Sequence, residues 1–228
     1  MSQQSYPSPL PGGGTAGELA LTFDRARPLR LLIVPALFDE ANRLRRLTVE
    51  VMRRLDAAGI DSALPDLPGC NESLQPLDAQ TVATWRAAMA AAAAWFGATH
   101  VLALRGGAAL VPPGLPGWHY APAKGSAILR QMLRARIVAA REAGVNESQD
   151  ELLALGLVEG LELSGHRLGP GLLADLRDLA PEPGDRITTI DQDMLGGAGL
   201  WLRAEPDESR EQADALAAIL AIGMKPAA

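Results

Sequence analysis

The chain of 228 residues contains one cysteine, Cys70, and only three histidines. A single cysteine excludes an internal disulfide, and the histidines do not have the spacing of a zinc motif. Basic residues are also scarce: 21 against 27 acidic ones, which gives a net charge of −6 and a pI near 5.1. Nucleic acids and anionic lipids attract clustered positive charge. The composition therefore favours a reduced cytoplasmic protein with no metal or other cofactor and no nucleic-acid partner.

Long hydrophobic runs are absent as well. The two longest, 87–96 and 215–224, are about half of the ~18 residues that cross a bilayer, so the sequence predicts no membrane span. Residues 1–17 are rich in Ser, Pro and Gly and lack the apolar stretch of a signal peptide, which predicts a flexible N-terminal tail. The remaining residues, 18–228, are enough for a single domain with a sizeable core.

Apolar runs typical of strands alternate with amphipathic patterns typical of helices. The predicted strands are 19–23, 29–34, 60–64, 100–104, 117–120, 157–163, 186–190 and 200–203, and the predicted helices are 42–58, 79–96, 126–143 and 208–222. This alternation predicts an α/β fold, with a mainly parallel sheet and helices on both of its faces. The basic helix 126–143 is expected to form a small helical insertion at about 121–156.

Arg105 has an unusual position at the end of one predicted strand, in the run His-Val-Leu-Ala-Leu-Arg-Gly-Gly-Ala-Ala at 100–109. A strand that ends in a small-x-X-x-small turn is typical of the nucleophile elbow of α/β-hydrolases, where X is the attacking residue. A guanidinium stays protonated and cannot attack a carbonyl or act as a base. It can instead hold a carboxylate or phosphate through two parallel hydrogen bonds.

Three segments that follow strands carry a wider resemblance to α/β-hydrolases. The chain is similar, more narrowly, to the second type of exosortase A system-associated hydrolase, a bacterial family linked to exopolysaccharide and sorting loci. The similarity rests on residues that match the family pattern from Leu31 onward: Pro35, Glu40, Asn42, Arg45, Arg46, Gly69-Cys70, Leu104-Arg105-x-Gly107, Gly165-His166-Arg167-Leu168, Leu200-Trp201 and Glu205. Val34 stands where the family usually has histidine. The resemblance implies that arginine at the elbow is a family feature.

The segment after the elbow departs from a hydrolase. A hydrolase continues there into a long helix whose N-terminal amides help to form the oxyanion hole, whereas here Pro112, Pro113 and Pro116 follow within a few residues. The sequence predicts that this helix is absent or reduced to one turn. We therefore interpret the chain as a catalytically degenerate α/β-hydrolase-like protein, a binding or accessory protein that the resemblance associates with exopolysaccharide or exosortase loci.

The alternative is an esterase, thioesterase or acyltransferase with unusual catalytic groups. Asp191 follows a predicted strand where the acid of a Ser-His-Asp triad belongs, but no histidine follows the last predicted strand, and Glu205 stands near the missing base. Cys70 could act as a nucleophile with His119 as its base. A lone cysteine is more often a small buried hydrophobic residue, so this pair is the weaker interpretation.

Arg105, Glu40 and Glu205 form the most favoured group. Each follows a strand, and in a parallel sheet such positions meet at the carboxyl edge. A shielded arginine needs a carboxylate partner, so we expect Arg105 to pair with Glu40 or Glu205, either as a structural ion pair or as a site for a small acidic or acyl ligand. Trp201 is expected to be a core aromatic near the same edge. The sequence also leaves open that the binding partner is another protein instead of a small ligand.

Overall fold

Five adjacent parallel strands form most of the main sheet. In this computed structural model, residues 1–182 and 184–225 are described, and within them the seven-stranded sheet has the order β1-β2-β4-β3-β5-β6-β9. The strands are β1 Ser2–Pro9, β2 Thr15–Phe23, β3 Arg30–Val34, β4 Asp61–Pro65, β5 His100–Leu104, β6 Gly117–Tyr120, β7 Leu161–Leu163, β8 His166–Leu168 and β9 Ile187–Ile190. Strand β2 runs antiparallel to β1 and β4, and β7 and β8 form a separate hairpin.

Six helices surround the sheet in the described part of the chain. They are α1 Asp39–Ala57, α2 Val82–Phe96, α3 Gly125–Glu142, α4 Gln149–Glu159, α5 Pro170–Asp178 and α6 Arg210–Gly223. One core cluster joins a face of the sheet to α1 and α6, and another joins the opposite face to α2, α3 and α5. Because both faces are covered, burial does not alternate along the central strands, and β4 and β6 are buried at every position. The predicted mainly parallel sheet with helices on both faces is confirmed.

The N-terminal segment differs from the predicted flexible tail at 1–17. Residues 2–9 form β1, which pairs antiparallel with β2 along its whole length. Tyr6 is fully buried against α2, and its hydroxyl donates a hydrogen bond to the carbonyl oxygen of Asp66 at 2.7 Å. The prolines are tolerated because β1 is an edge strand, which can lack ladder donors. The Ser and Pro content suggested disorder, but one buried aromatic side chain and a paired neighbour order the segment.

The helical insertion lies between β6 and β9 and is longer than the predicted 121–156. It contains α3, α4, the β7–β8 hairpin and α5, so it extends beyond 156 to the start of β9. The predicted strand 157–163 is wrong in its first half, because α4 continues to Glu159 and only Leu161–Leu163 is extended. None of the described helices is long and apolar enough to span a membrane.

Two connections decide the shape of the sheet edge. After β5, a 3-10 helix at Arg105–Leu110 and a proline-rich loop lead directly into β6, so the long helix after the elbow is absent, as the sequence predicts. The predicted strand 200–203 is wrong: Leu200–Leu202 is a 3-10 helix, and β9 is the last strand on that side. In this 3-10 helix Leu200 and Trp201 are buried against α1 and α6 rather than by strand pairing, while Leu202 is exposed. The Trp201 carbonyl accepts a hydrogen bond from Arg43.

Candidate functional site

Arg105 follows β5 in a strained backbone conformation. Its φ is +52°, a left-handed value that an arginine rarely adopts, so the elbow has the sharp geometry that its sequence predicts. Gly107 makes this turn feasible, since a Cβ at that position would lie 2.2 Å from the Pro35 carbonyl oxygen. The turn therefore packs directly against the segment that follows β3 and presents the Arg105 side chain at the carboxyl edge of the sheet.

Glu40 meets Arg105 from the first turn of α1. This helix begins after Phe38, whose φ of +53° bends the chain sharply at the end of β3. Arg105 donates from Nε to Glu40 Oε2 at 3.2 Å and from Nη2 to Oε1 at 3.0 Å, a bidentate pair. The N-terminal end of a helix also favours a carboxylate. The structure thus joins Arg105 to one of its two predicted partners.

The rest of the Arg105 guanidinium is occupied by groups of the protein. Nη1 donates to the Ala121 carbonyl oxygen at 2.7 Å, and the guanidinium carbon lies 4.1 Å from the centre of the Trp201 ring. The side chains of Arg105 and Glu40 are only 16% and 6% exposed. With two edges bonded and one face stacked, the guanidinium has little capacity left for a ligand anion.

Trp201 is held in this position by its own neighbours. Its ring contacts Tyr120 edge-on with centroids 5.8 Å apart, and its carbonyl oxygen accepts a hydrogen bond from Arg43 Nη1 at 3.0 Å. Sequence reasoning treated Trp201 as a core aromatic and missed its stacking on Arg105. The absence of a strand at 200–203 turns the ring toward the elbow, which no residue pattern indicated.

Glu205 does not join the group. It is exposed on the surface, and it forms no salt bridge with any residue that the structure describes. The expected pairing of Arg105 with Glu205 depended on a strand at 200–203 that would have delivered this side chain to the sheet edge. Without that strand, the following residues turn into solvent before α6 begins.

The weaker catalytic candidates, Cys70, His119 and Asp191, are not brought together. Cys70 follows β4 while His119 lies within β6, so three strand spacings, roughly 14 Å, separate them. Burial raises the pKa of the Cys70 thiol to about 12, so it is protonated at neutral pH. Asp191 is exposed after β9 and makes no described hydrogen bond to His119. Their geometry does not form a nucleophile–base pair.

The space around the elbow is mostly filled. A Cβ on Gly106 would lie 2.6 Å from Ile128 of α3 and 2.9 Å from Leu37, so the insertion packs tightly over this turn. A pocket of about 70 Å³ lies beside Glu40 and Arg43, and Arg105 does not line it. Sites for small molecules usually enclose about 300–1,000 Å³. Within residues 1–182 and 184–225, no cluster of His, Cys, Asp and Glu could hold a metal ion.

Comparison with known structures identifies the fold. The chain is similar to a protein of Agrobacterium vitis described provisionally as a hydrolase, at 11% identity and a TM-score of 0.64 over 98% of this chain and 99% of the other. It is also similar to a proline iminopeptidase-related protein from Thermus thermophilus, at 16% identity and a TM-score of 0.56 over 99% of this chain and 100% of the other. The mouse alpha/beta hydrolase domain-containing protein 10 is similar at 11% identity and a TM-score of 0.51 over 96% of each chain. The chain therefore has the α/β-hydrolase fold. No family model and no curated protein matches its sequence.

Proposed function

We propose that this chain is a catalytically inactive α/β-hydrolase-fold protein that acts as a binding or accessory protein. The observation that carries this proposal is the Arg105–Glu40 pair at the elbow. The attacking residue of a hydrolase would occupy the position of Arg105, and here that position holds a permanently charged group bonded to a carboxylate. No proton acceptor and no alcohol stand in its place.

The surroundings of the elbow support the same conclusion. A hydrolase stabilises its tetrahedral intermediate with backbone amides at the start of the post-elbow helix, and here that helix is a short 3-10 segment covered by Leu37 and Ile128. An acyl group has no room to approach Gly106. Loss of the nucleophile and loss of the binding geometry thus occur together.

The pair takes over a structural task in this proposal. It ties α1 to the end of β5, while the Ala121 carbonyl and Trp201 tie the same guanidinium to β6 and to the segment before α6. Removing one partner of such a buried pair strongly destabilises the fold, because the other charge is then buried without compensation. We infer that Arg105 holds together the elements that a triad would otherwise connect.

The association with exopolysaccharide or exosortase loci rests on the family resemblance. The resemblance itself, and not the association, is supported by one structural fact: Glu40, Arg105 and Trp201 come from three separate parts of the matching pattern and meet in one contact group. If the matching residues form one structural site, those that are distant in the sequence must be in contact in the fold, as these three are. The resemblance does not identify a ligand, and fold alone does not assign a function.

The alternative of an unusual esterase, thioesterase or acyltransferase has no comparable support. Cys70 is protonated and distant from His119, and Asp191 is in solvent. No observation on the described residues assembles these groups into a reacting site.

Labelling with a fluorophosphonate, together with turnover of p-nitrophenyl esters, tests the proposal. We expect no serine to be labelled and no ester turnover above that of the double variant Cys70→Ala, His119→Ala. Labelling of one serine in stoichiometric amount, or turnover that this double variant abolishes, would overturn it.

A further inference from the structure

A cavity beside the elbow is lined by Ala108 and Ala109 of the turn and does not include Glu40. It has a volume of about 430 Å³ and lies between α2, the loop after the 3-10 helix, and the start of β9. Its lining includes the side chains of Arg86, Val111, Leu115, His119, Arg186 and Ile187. The loop stands in the chain where a hydrolase has a long helix, and the cavity lies beside this loop.

His119 is the most unusual residue of this cavity. The neighbouring Trp118 and Tyr120 point to the α1–α6 side, so the alternation of β6 directs His119 to the opposite side, toward the cavity. The residue is 4% exposed, and Nε2 is buried with no hydrogen-bond partner among the described residues. A buried polar atom without a partner costs about 1–3 kcal/mol, and a ligand in the cavity could supply the missing hydrogen bond to His119.

Two exposed arginines, Arg86 and Arg186, line the same cavity as this imidazole. Arg86 donates from Nε to the Ala109 carbonyl oxygen at 2.9 Å, and Arg186 donates from Nη2 to the Gly114 carbonyl oxygen. Arg86 is thus held by the 3-10 helix and Arg186 by the loop after it, and among the described residues only Glu182 lies within salt-bridge distance of either guanidinium. Arginines that are held in advance lose less conformational entropy when they bind an anion.

The acidic residues that line the cavity compete only weakly with a ligand for the two arginines. Glu182 lies 3.5 Å from Arg86, but its side chain is 84% exposed, and a screened pair of this kind contributes little. Asp185 is also exposed. A carboxylate that enters the cavity could therefore replace Glu182 at Arg86. Val111, Leu115 and Ile187 offer apolar surface to the rest of such a molecule.

We propose that this cavity binds a small organic carboxylate with an apolar body, whose charged group is held by Arg86 and Arg186 and which contacts the ring of His119. The proposal rests on the proposed function, because it assigns a ligand class and a site to a binding protein. The volume falls within the range of about 300–1,000 Å³ of small-molecule sites. The elbow pair is not part of this site.

Titration calorimetry with octanoate, octan-1-ol and inorganic phosphate tests the proposal on the full chain. We expect octanoate to bind, and we expect the alcohol and phosphate to bind at least about tenfold more weakly, because each lacks one half of the recognition. Arg186→Met should weaken octanoate binding about tenfold or more. Leu115→Trp should abolish it by filling the cavity. The control Arg134→Met changes an exposed arginine of α3 and should leave binding unchanged.

Imidazole NMR locates the ligand. The chain has three histidines, so a His119→Asn variant assigns the ring signal of His119. Octanoate should shift that signal and leave those of His100 and His166 in place. The proposal is wrong if octanoate does not bind, if phosphate binds equally well, or if binding persists unchanged in both Arg186→Met and Leu115→Trp. Esterase activity at the elbow would instead overturn the proposed function, and the calorimetric result would be unaffected by it.

Discussion

Arg105 and Glu40 bind each other from two strained turns, with φ of +52° at Arg105 itself and +53° at Phe38, two residues before Glu40. Both turns follow parallel strands that are neighbours in the sheet. A backbone in this region costs about 1–3 kcal/mol and persists only when its surroundings hold it. In a hydrolase that strain presents a nucleophile, whereas here it brings two opposite charges into a bidentate contact.

Replacing Arg105 with Met should lower the free energy of unfolding by about 3 kcal/mol, because it leaves the Glu40 carboxylate buried without a partner. The double variant Arg105→Met, Glu40→Gln should recover about half of that loss, since the remaining amide carries no charge. Urea unfolding of the wild type, the single variant and the double variant measures both effects.

Two variants serve as controls for the elbow pair. Arg46→Met breaks a salt bridge to Glu208 in which the side chains are 62% and 42% exposed, and Glu205→Gln changes a carboxylate at the surface. Each should alter the free energy of unfolding by less than about 0.5 kcal/mol. An unchanged stability in Arg105→Met, or a loss in Glu205→Gln as large as that in Arg105→Met, would contradict the pairing with Glu40.

Trp201→Leu should destabilise the protein by about 2 kcal/mol, of which about 1 kcal/mol is the stacking on the Arg105 guanidinium. When Trp201→Leu is made in the Arg105→Met variant, the loss of free energy of unfolding that comes from the stacking should be absent. Trp118→Leu is the matched control, since Trp118 is also 8% exposed but stacks on His100. Its cost should be the same in both backgrounds. Equal costs of Trp201→Leu in the two backgrounds would show that the stacking contributes nothing.

The elements with a strong hydrophobic period could be predicted from the sequence. The pattern that predicted 126–143 appears as α3 Gly125–Glu142, and the run at 100–104 appears as β5 with the same bounds. Such elements depend mostly on which of their own residues are apolar. The elbow could also be predicted, because its small residues at Gly107 and nearby have a local steric cause.

The parts that depend on distant neighbours could not be predicted. Tyr6 is ordered by β2 and α2, which no pattern inside 1–17 reveals. The choice between Glu40 and Glu205 depended on whether 200–203 is a strand, and an apolar run of this length can also form a 3-10 helix that buries Leu200 and Trp201. Local residue types define the candidates for an ion pair, while the tertiary fold selects among them.

Changes in β1 test whether this strand stabilises the fold. Tyr6→Ala should lower the free energy of unfolding by about 3–4 kcal/mol through the cavity it leaves, and Tyr6→Phe by about 1 kcal/mol through the lost hydrogen bond to Asp66. Gln3→Ala, at an exposed position of the same strand, should have almost no effect. A chain that lacks residues 1–9 and unfolds at the wild-type urea concentration would show that β1 contributes nothing to stability.

His119 should make the protein sensitive to acid. Burial lowers the pKa of its imidazole below the ordinary value, so the folded protein favours the neutral ring. The unfolded chain binds the proton more readily, and the stability that is fully present above the unfolded pKa of about 6.5 is therefore lost as the pH falls toward the folded pKa.

His119→Gln cannot take up this proton. Its free energy of unfolding, measured in urea between about pH 7.5 and about pH 5.5, should consequently decline less than that of the wild type. His100→Gln should flatten the profile less, because the ring of His100 is only half-buried although its pKa is also lowered. Identical profiles for His119→Gln and the wild type would mean that the buried imidazole is protonated at no cost to the fold.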